Sequence, residues 1–522
     1  MTLMLTLGTA AFGAQKTLPS GKDTGSINVT NLKPGDTVTA YQFVKADYNE
    51  YGFTGYSAIN NYVKDPVAPT AQEVIDMASN AATMTVAAEK KVATGDTEVT
   101  LNGLPVGYYL VMVTSGSETV YSPMIAGIYY SKSATDNTLT NGAISADSDF
   151  EIKAQKCWAK SSTPKLEKTI VTPSSKNSKG DDIAIGDKIT FNLSATVPSY
   201  SKEYKKVTYK IYDIMSEGLD YVDGSMKCFI EKYENNRENI KVTPKVNGGI
   251  IEITFDSKFI LEHPGQKIQV EYQAKLNEKA GVNFDANINK AYLEYSNNPA
   301  SGSTAKTGED KVYVYTFGIN SNLFGKSTEK WNEKTKELIK VEEGEYQWGE
   351  TEKESGIFTT TTALEGATFT LTNNKTKKSY TATSDKYGYL KFTGLDAGEY
   401  TLQETDAPAG FTLNDAKHTV VITAEYNQDG TLKSYTIKID DKATSTYTAT
   451  YDKGVIKTIT STKDSQGNIS ESAILKNSKM SFLPSTGGVG TTIFAIVGVV
   501  FVAAALGLHM ILRGKSKLEQ DR

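Results

Sequence analysis

"LNGLPVGYYLVMV" at residues 101–113 and "FTGLDAGEYTLQE" at residues 392–404 are two copies of one phrase within a chain of 522 residues. Gly103 lies over Gly394, Leu104 over Leu395, Gly107 over Gly398 and Tyr109 over Tyr400. Repeats so far apart mark two modules built on one supersecondary unit. In an extended strand alternate side chains share a face, so Tyr109, Val111 and Val113 correspond to Tyr400, Leu402 and Glu404. The later copy places a carboxyl where the earlier one has a valine.

Outward from this phrase the chain keeps the same β character. In "AIGDKITFNLSATVPSY" (184–200) and "VVITAEYNQDGTLKSYTIKID" (420–440), Val, Ile, Thr and Tyr alternate with polar residues between Gly, Asn and Asp turns. The expected fold is mostly β, a series of immunoglobulin-like sandwiches. One helix is expected, over Thr70–Lys91, inserted in the first module. "AKSSTPKLEK" (159–168) reads as a polar join, and "KVYVYTFGI" (311–319) as an extended run into a last module. The modules then span 15–160, 161–312 and 313–482.

The middle module repeats the oddity of an inward polar group. In "VTYKIYDIM" the face of Val207, Tyr209 and Ile211 continues to Asp213; Leu166 and Ile170 flank Lys168; Asn289 shares parity with Ala291 and Leu293. Singly, each is an ordinary polar residue reaching solvent at a strand end. Together they point to chemistry. A lysine amine attacks an amide carbonyl only when neutral, and apolar burial lowers its pKa while raising that of a neighbouring carboxyl. The acid is expected to hydrogen-bond the carboxamide and to shuttle a proton to departing ammonia, leaving a Lys168–Asn289 amide crosslink.

Composition excludes several classes. With 2 Cys, no disulfide framework or cysteine metal site supports the chain, and a pairing of Cys157 with Cys228 is left open. Lys and Arg number 56 against 61 Asp and Glu, without a long basic block, so nucleic acid is not a partner. His263, His418 and His509 are the only histidines, and no phosphate loop or histidine metal pair is present. The chain reads as no enzyme beyond a single self-crosslinking turnover, with no cofactor and no metal.

The ends read as export signals. Residues 489–512 carry no formal charge with His509 neutral, and as a helix they would rise roughly 36 Å, enough to cross a bilayer. Arg513, Lys515 and Lys517 follow, which keeps that end cytoplasmic and the rest outside. Residues 1–14 read as a truncated signal peptide, apolar with Ala11, Gly13 and Ala14, though without a basic start.

"LPSTGG" before the span and basic tail resembles the cell-wall sorting signal of Gram-positive surface proteins, so 483–522 form an anchor region. "KLEKTI", "YKIYDIMSEGLDY" and "NKAYLEYSNNP" resemble the isopeptide-forming middle domain of sortase-assembled backbone pilins. "GLDAGEYTLQETDAPAGF" and "ILKNSKMSFLPSTGG" resemble the Cna B-type domain that ends them. The resemblance implies that sortase, of the pilus or housekeeping type, recognises Leu483, Pro484, Ser485, Thr486 and Gly487 and cleaves between the last two. The Thr486 carboxyl would then pass to a lysine of a neighbouring pilin subunit or to a peptidoglycan precursor. The protein would sit in the membrane before cleavage and on the cell wall or pilus afterwards, where a host or extracellular-matrix ligand is a further expected partner.

Two departures from the family accompany this resemblance. The usual Tyr-Pro-Lys motif is replaced by "FEIKAQKCWAKSSTPK", leaving Lys160, Lys156 and Lys165 as candidate nucleophiles, with Lys160 favoured at the seam. In the last module the resemblance implies Glu404 as acid and Asn477 as acceptor, but Leu323 occupies the expected lysine position, and Lys326 serves only if a bulge shifts the strand. Val113 in the first module implies no crosslink there. The rival readings are a monomeric wall-anchored adhesin and a minor base or tip pilin.

Overall fold

A computed structural model describes residues 18–115, 118–131, 144, 150–171, 177–233, 236–325, 329–332, 337–340, 357–358, 364–385, 389–440, 443–462 and 474–477. Strands dominate, and their apolar residues collect into successive cores. The first holds Ile27, Val99, Tyr109, Val111 and Ala159, with a smaller cluster around Phe43, Met77 and Leu110 beside it. The second contains Phe191, Ile211, Tyr272 and Leu293, the third Phe317, Phe369, Tyr400 and Leu475.

The two copies of the repeated phrase fold alike. In the first, strand Glu98–Pro105 leads to Gly107–Thr114; in the second, Tyr389–Leu395 leads to Gly398–Asp406. Gly103 and Gly394 hold φ of 69° and 76°, a left-handed conformation that disfavours residues bearing a Cβ. Tyr109 donates its hydroxyl to the Pro105 carbonyl at 2.5 Å, and Tyr400 does the same to Asp396 at 2.9 Å. Each buried ring thereby ties its strand to the preceding turn.

The middle core lies between two sheets. One sheet places Leu166–Ile170 beside Lys188–Thr196, which pairs with Lys267–Leu276. The other places Tyr209–Met215 beside Asn287–Asn298, which pairs with Asp310–Tyr315. This last strand serves two cores through its period of two: Val312 and Val314 enter the middle one, Tyr313 and Tyr315 the third.

The helix expected over Thr70–Lys91 is shorter. It covers Ala71–Ser79, opened by a capping box between Thr70 and Glu73. A single 3₁₀ turn follows at Ala81–Thr83, and Val86–Lys91 is a strand paired with Thr37–Asn49. An exposed edge of a sheet captured a segment whose alanines suit a helix, because ladder bonds outweigh a weak local preference. Among the described residues no helix is long and apolar enough to cross a membrane, and the expected span 489–512 lies outside them, as do residues 1–14.

Candidate functional site

Lys168, Asp213 and Asn289 meet at the centre of the middle sandwich, each 0% exposed. Lys168 comes from one sheet, Asp213 and Asn289 from the other. In the second sheet Asp213 stands opposite Ala291 and Met215 opposite Asn289, so the acid and the carboxamide are diagonal neighbours on one face. The Lys168 ammonium donates to Asp213 Oδ2. It also lies 5.0 Å from the Phe191 ring centroid and 5.3 Å from that of Tyr272.

A fourth residue completes the cluster. Tyr272, on Lys267–Leu276, receives a hydrogen bond from Lys168 Nζ at 3.1 Å and donates its own hydroxyl to Asp213 Oδ1 at 2.7 Å. Asn289 Nδ2 donates to the same hydroxyl oxygen at 2.7 Å. The expected direct bond between acid and carboxamide is therefore not the arrangement found: Asp213 reaches Lys168 and Tyr272, and Tyr272 reaches Asn289. Asp213 and Asn289 share a sheet face only diagonally, and Asp213 turns its oxygens to the opposite sheet, from which the Tyr272 ring reaches both of them. The Tyr272 hydroxyl was readable as an anomaly, since it shares strand parity with Val270 and Ala274, and a buried phenol requires a partner.

Burial governs the electrostatics. Desolvation pushes the Lys168 amine below its ordinary range, and Asp213 beside it opposes that shift. Desolvation, then the charge of Asp213, raises the Tyr272 phenol well above its usual value. The Lys168 backbone is clamped from outside: its N–H donates to Asp310 Oδ2 at 2.7 Å, and Lys179 Nζ bridges its carbonyl and Asp310, each at 2.6 Å. Asn289 Oδ1 is buried without a hydrogen-bond partner among the described residues. Leaving such an oxygen unpaired costs about 1–3 kcal/mol, and a dry ion pair also carries a desolvation cost. A cluster selected for stability alone would use apolar residues here. What it assembles is an amine, a carboxyl, a phenol and an amide within hydrogen-bond reach of one another.

In the third core Glu404 is 2% exposed and accepts from the Asn414 N–H at 2.6 Å. Strand Phe317–Gly325, which contains Leu323, runs parallel to Ile474–Asn477, with Gly325 opposite Asn477. Lys326 lies outside the described residues. In the first core Val29 pairs with Cys157 on the corresponding parallel strands, and Val113 occupies the place of the acid; all three are buried. Cys157 and Cys228 are free and buried in different cores, which closes the question of their pairing. Desolvation pushes their thiols up to about 11 and about 12.

Lys156, Lys160 and Lys165 are all exposed. Around Lys160 the backbone is pinned: Ala159 N–H donates to Thr30 at 3.0 Å, Ser122 N–H donates to the Lys160 carbonyl at 3.0 Å, and Ser161–Ser162 pairs with Val120–Tyr121. Leu483, Pro484, Ser485, Thr486 and Gly487 lie outside the described residues. Among the described residues no cluster of metal-ligating side chains occurs.

The architecture is a series of sandwiches, the middle one with a buried amine–acid–amide cluster. Comparison with known proteins narrows it. Residues 22–161 match the T6 antigen Ig-like domain, 357–437 the prealbumin-like fold domain SpaA, and 476–517 the LPXTG cell wall anchor motif. The trypsin-resistant surface T6 protein of Streptococcus pyogenes serotype M6 is 26% identical over 95% of this chain and 96% of its own length. The solved T6 backbone pilin of serotype M6 Streptococcus pyogenes, described as a modular three-domain structure, has the same fold. It superposes with a TM-score of 0.59 at 21% identity, over 89% of this chain and 100% of the pilin. Together these matches support a sortase-assembled Gram-positive backbone pilin attached to the cell wall.

Proposed function

We propose that this chain is the shaft subunit of a covalently polymerised pilus, built from modules spanning 15–160, 161–312 and 313–482. Sortase cleaves it between Thr486 and Gly487 and joins Thr486 to Lys160 of the next subunit, or to a peptidoglycan precursor at the base. The membrane segment holds the substrate until that cut. The pinned backbone around Lys160 supports its choice over Lys156 and Lys165, because a rigid strand end presents an amine at a defined position.

The observation that carries the mechanical part of this reading is the buried cluster bridging the two sheets of the middle sandwich. Lys168 passes its excess proton to Asp213, and the neutral amine attacks the Asn289 carboxamide carbon. Ammonia leaves and an amide bond closes. The fibre then transmits tension through covalent bonds, both between subunits and across the module.

The test is expression with a pilus sortase, comparing the wild type with Lys160→Arg, Lys156→Arg and Lys165→Arg. A ladder of covalent multimers lost only in Lys160→Arg supports the assignment. Monomers on the wall in every case, without a ladder, favour a singly displayed adhesin.

A further inference from the structure

Resting on the crosslinking reading above, we infer that Tyr272 is a catalytic residue of the bond-forming step, relaying a proton from Asp213 to the departing Asn289 nitrogen. The geometry leaves little alternative route. Asp213 makes no hydrogen bond to Asn289, while a single hydroxyl touches Asp213 Oδ1 at 2.7 Å, Asn289 Nδ2 at 2.7 Å and Lys168 Nζ at 3.1 Å. The four side chains are excluded from solvent, with Tyr272 1% exposed and the others 0%, so bulk water does not supply the proton.

The protons balance. The attack begins from neutral Lys168 and protonated Asp213. The Nζ–Cγ bond forms, and the carboxamide oxygen takes up the electron pair. As that pair returns to re-form the carbonyl and the Cγ–Nδ2 bond breaks, Tyr272 gives its hydroxyl proton to Nδ2 and takes one from Asp213. Asp213 recovers a proton from Nζ as that nitrogen becomes an amide. The net change is one proton moved from Nζ to the ammonia released, with Tyr272 and Asp213 restored. Because burial makes a free phenolate costly, the phenol must receive a proton as it donates one. A hydroxyl placed between an acid and a leaving group suits that concerted exchange.

Tyr272→Phe isolates the hydroxyl, because it keeps the ring that packs on Phe191, 5.5 Å between centroids, and on the Lys168 stem. Freshly expressed ectodomain is sampled over hours by intact mass, each variant judged against its own calculated mass, with the linked peptide mapped. General-acid assistance is commonly worth about 10²–10⁴-fold, so crosslinking in Tyr272→Phe should be slower by at least about 100-fold and the early samples should be mostly unlinked. To separate chemistry from folding, Lys168→Met and Lys168→Met/Tyr272→Phe, neither able to react, are melted side by side. Similar melting, with slow linking of the single Phe variant, supports the relay. Early, complete linking in Tyr272→Phe overturns it, as does a collapse of the double variant that matches the loss of linking. An unlinked wild type would refute the crosslink itself, a separate result.

Discussion

Replacing Lys168 by methionine removes the nucleophile while keeping an unbranched stem in its place, so the loss of a covalent clamp can be read with little cavity formation. The two reacting residues stand roughly 120 positions apart in sequence, and by analogy with disulfides closing such a loop stabilises by about 4–5 kcal/mol. For a module of this size each kcal/mol moves the midpoint by about 2–4 °C, so the middle transition should fall by roughly 8–20 °C. The structure sets the direction of any residual term. Asp213 keeps the Tyr272 hydroxyl but loses the hydrogen bond from Nζ, which adds to the destabilisation. The assay is differential scanning calorimetry of ectodomain 15–486, paired with intact mass. The wild type should weigh about 17 Da less per bond than its sequence requires, and the variant should not. A wild type of full mass, or a lighter wild type whose midpoint matches that of the variant, would refute the reasoning.

The other expectations follow from burial. Asp182 accepts from the Tyr426 hydroxyl at 2.6 Å where the middle and third cores adjoin, and desolvation raises its pKa to about 6. A carboxyl raised in the folded state favours folding as it protonates, so this contribution should grow as pH falls from about 6 towards 4 and be missing above that window. Asp182→Asn should flatten that slope in denaturant midpoints measured across the range. Cys157 and Cys228 should resist a thiol reagent in the native protein and react on unfolding; rapid native labelling would contradict their placement. Peptide mapping of the wild-type ectodomain should find no lysine–asparagine link within residues 22–161, where Val29, Val113 and Cys157 line the corresponding position.

Strand parity alone was enough to turn Lys168, Asp213 and Asn289 inward, since a two-residue period and an apolar flank leave each of them one face to occupy. The repeat at 101–113 and 392–404 likewise announced two related β units, because a glycine in a left-handed turn and a tyrosine tied back to it are local requirements. Local pattern failed at Val86–Lys91, where a neighbouring strand decided between helix and sheet.

The sequence by itself determined which side chains are buried at a cost, where the anchor motif lies, and which residue types are gathered on the inward faces. Only the tertiary structure decided who touches whom. Lys168 and Tyr272 belong to one sheet and Asp213 and Asn289 to the other, and the distance between packed sheets is a property of both, invisible to either strand. That spacing is what lets the Tyr272 phenol reach across to both Asp213 and Asn289, which are only diagonal neighbours on their own sheet.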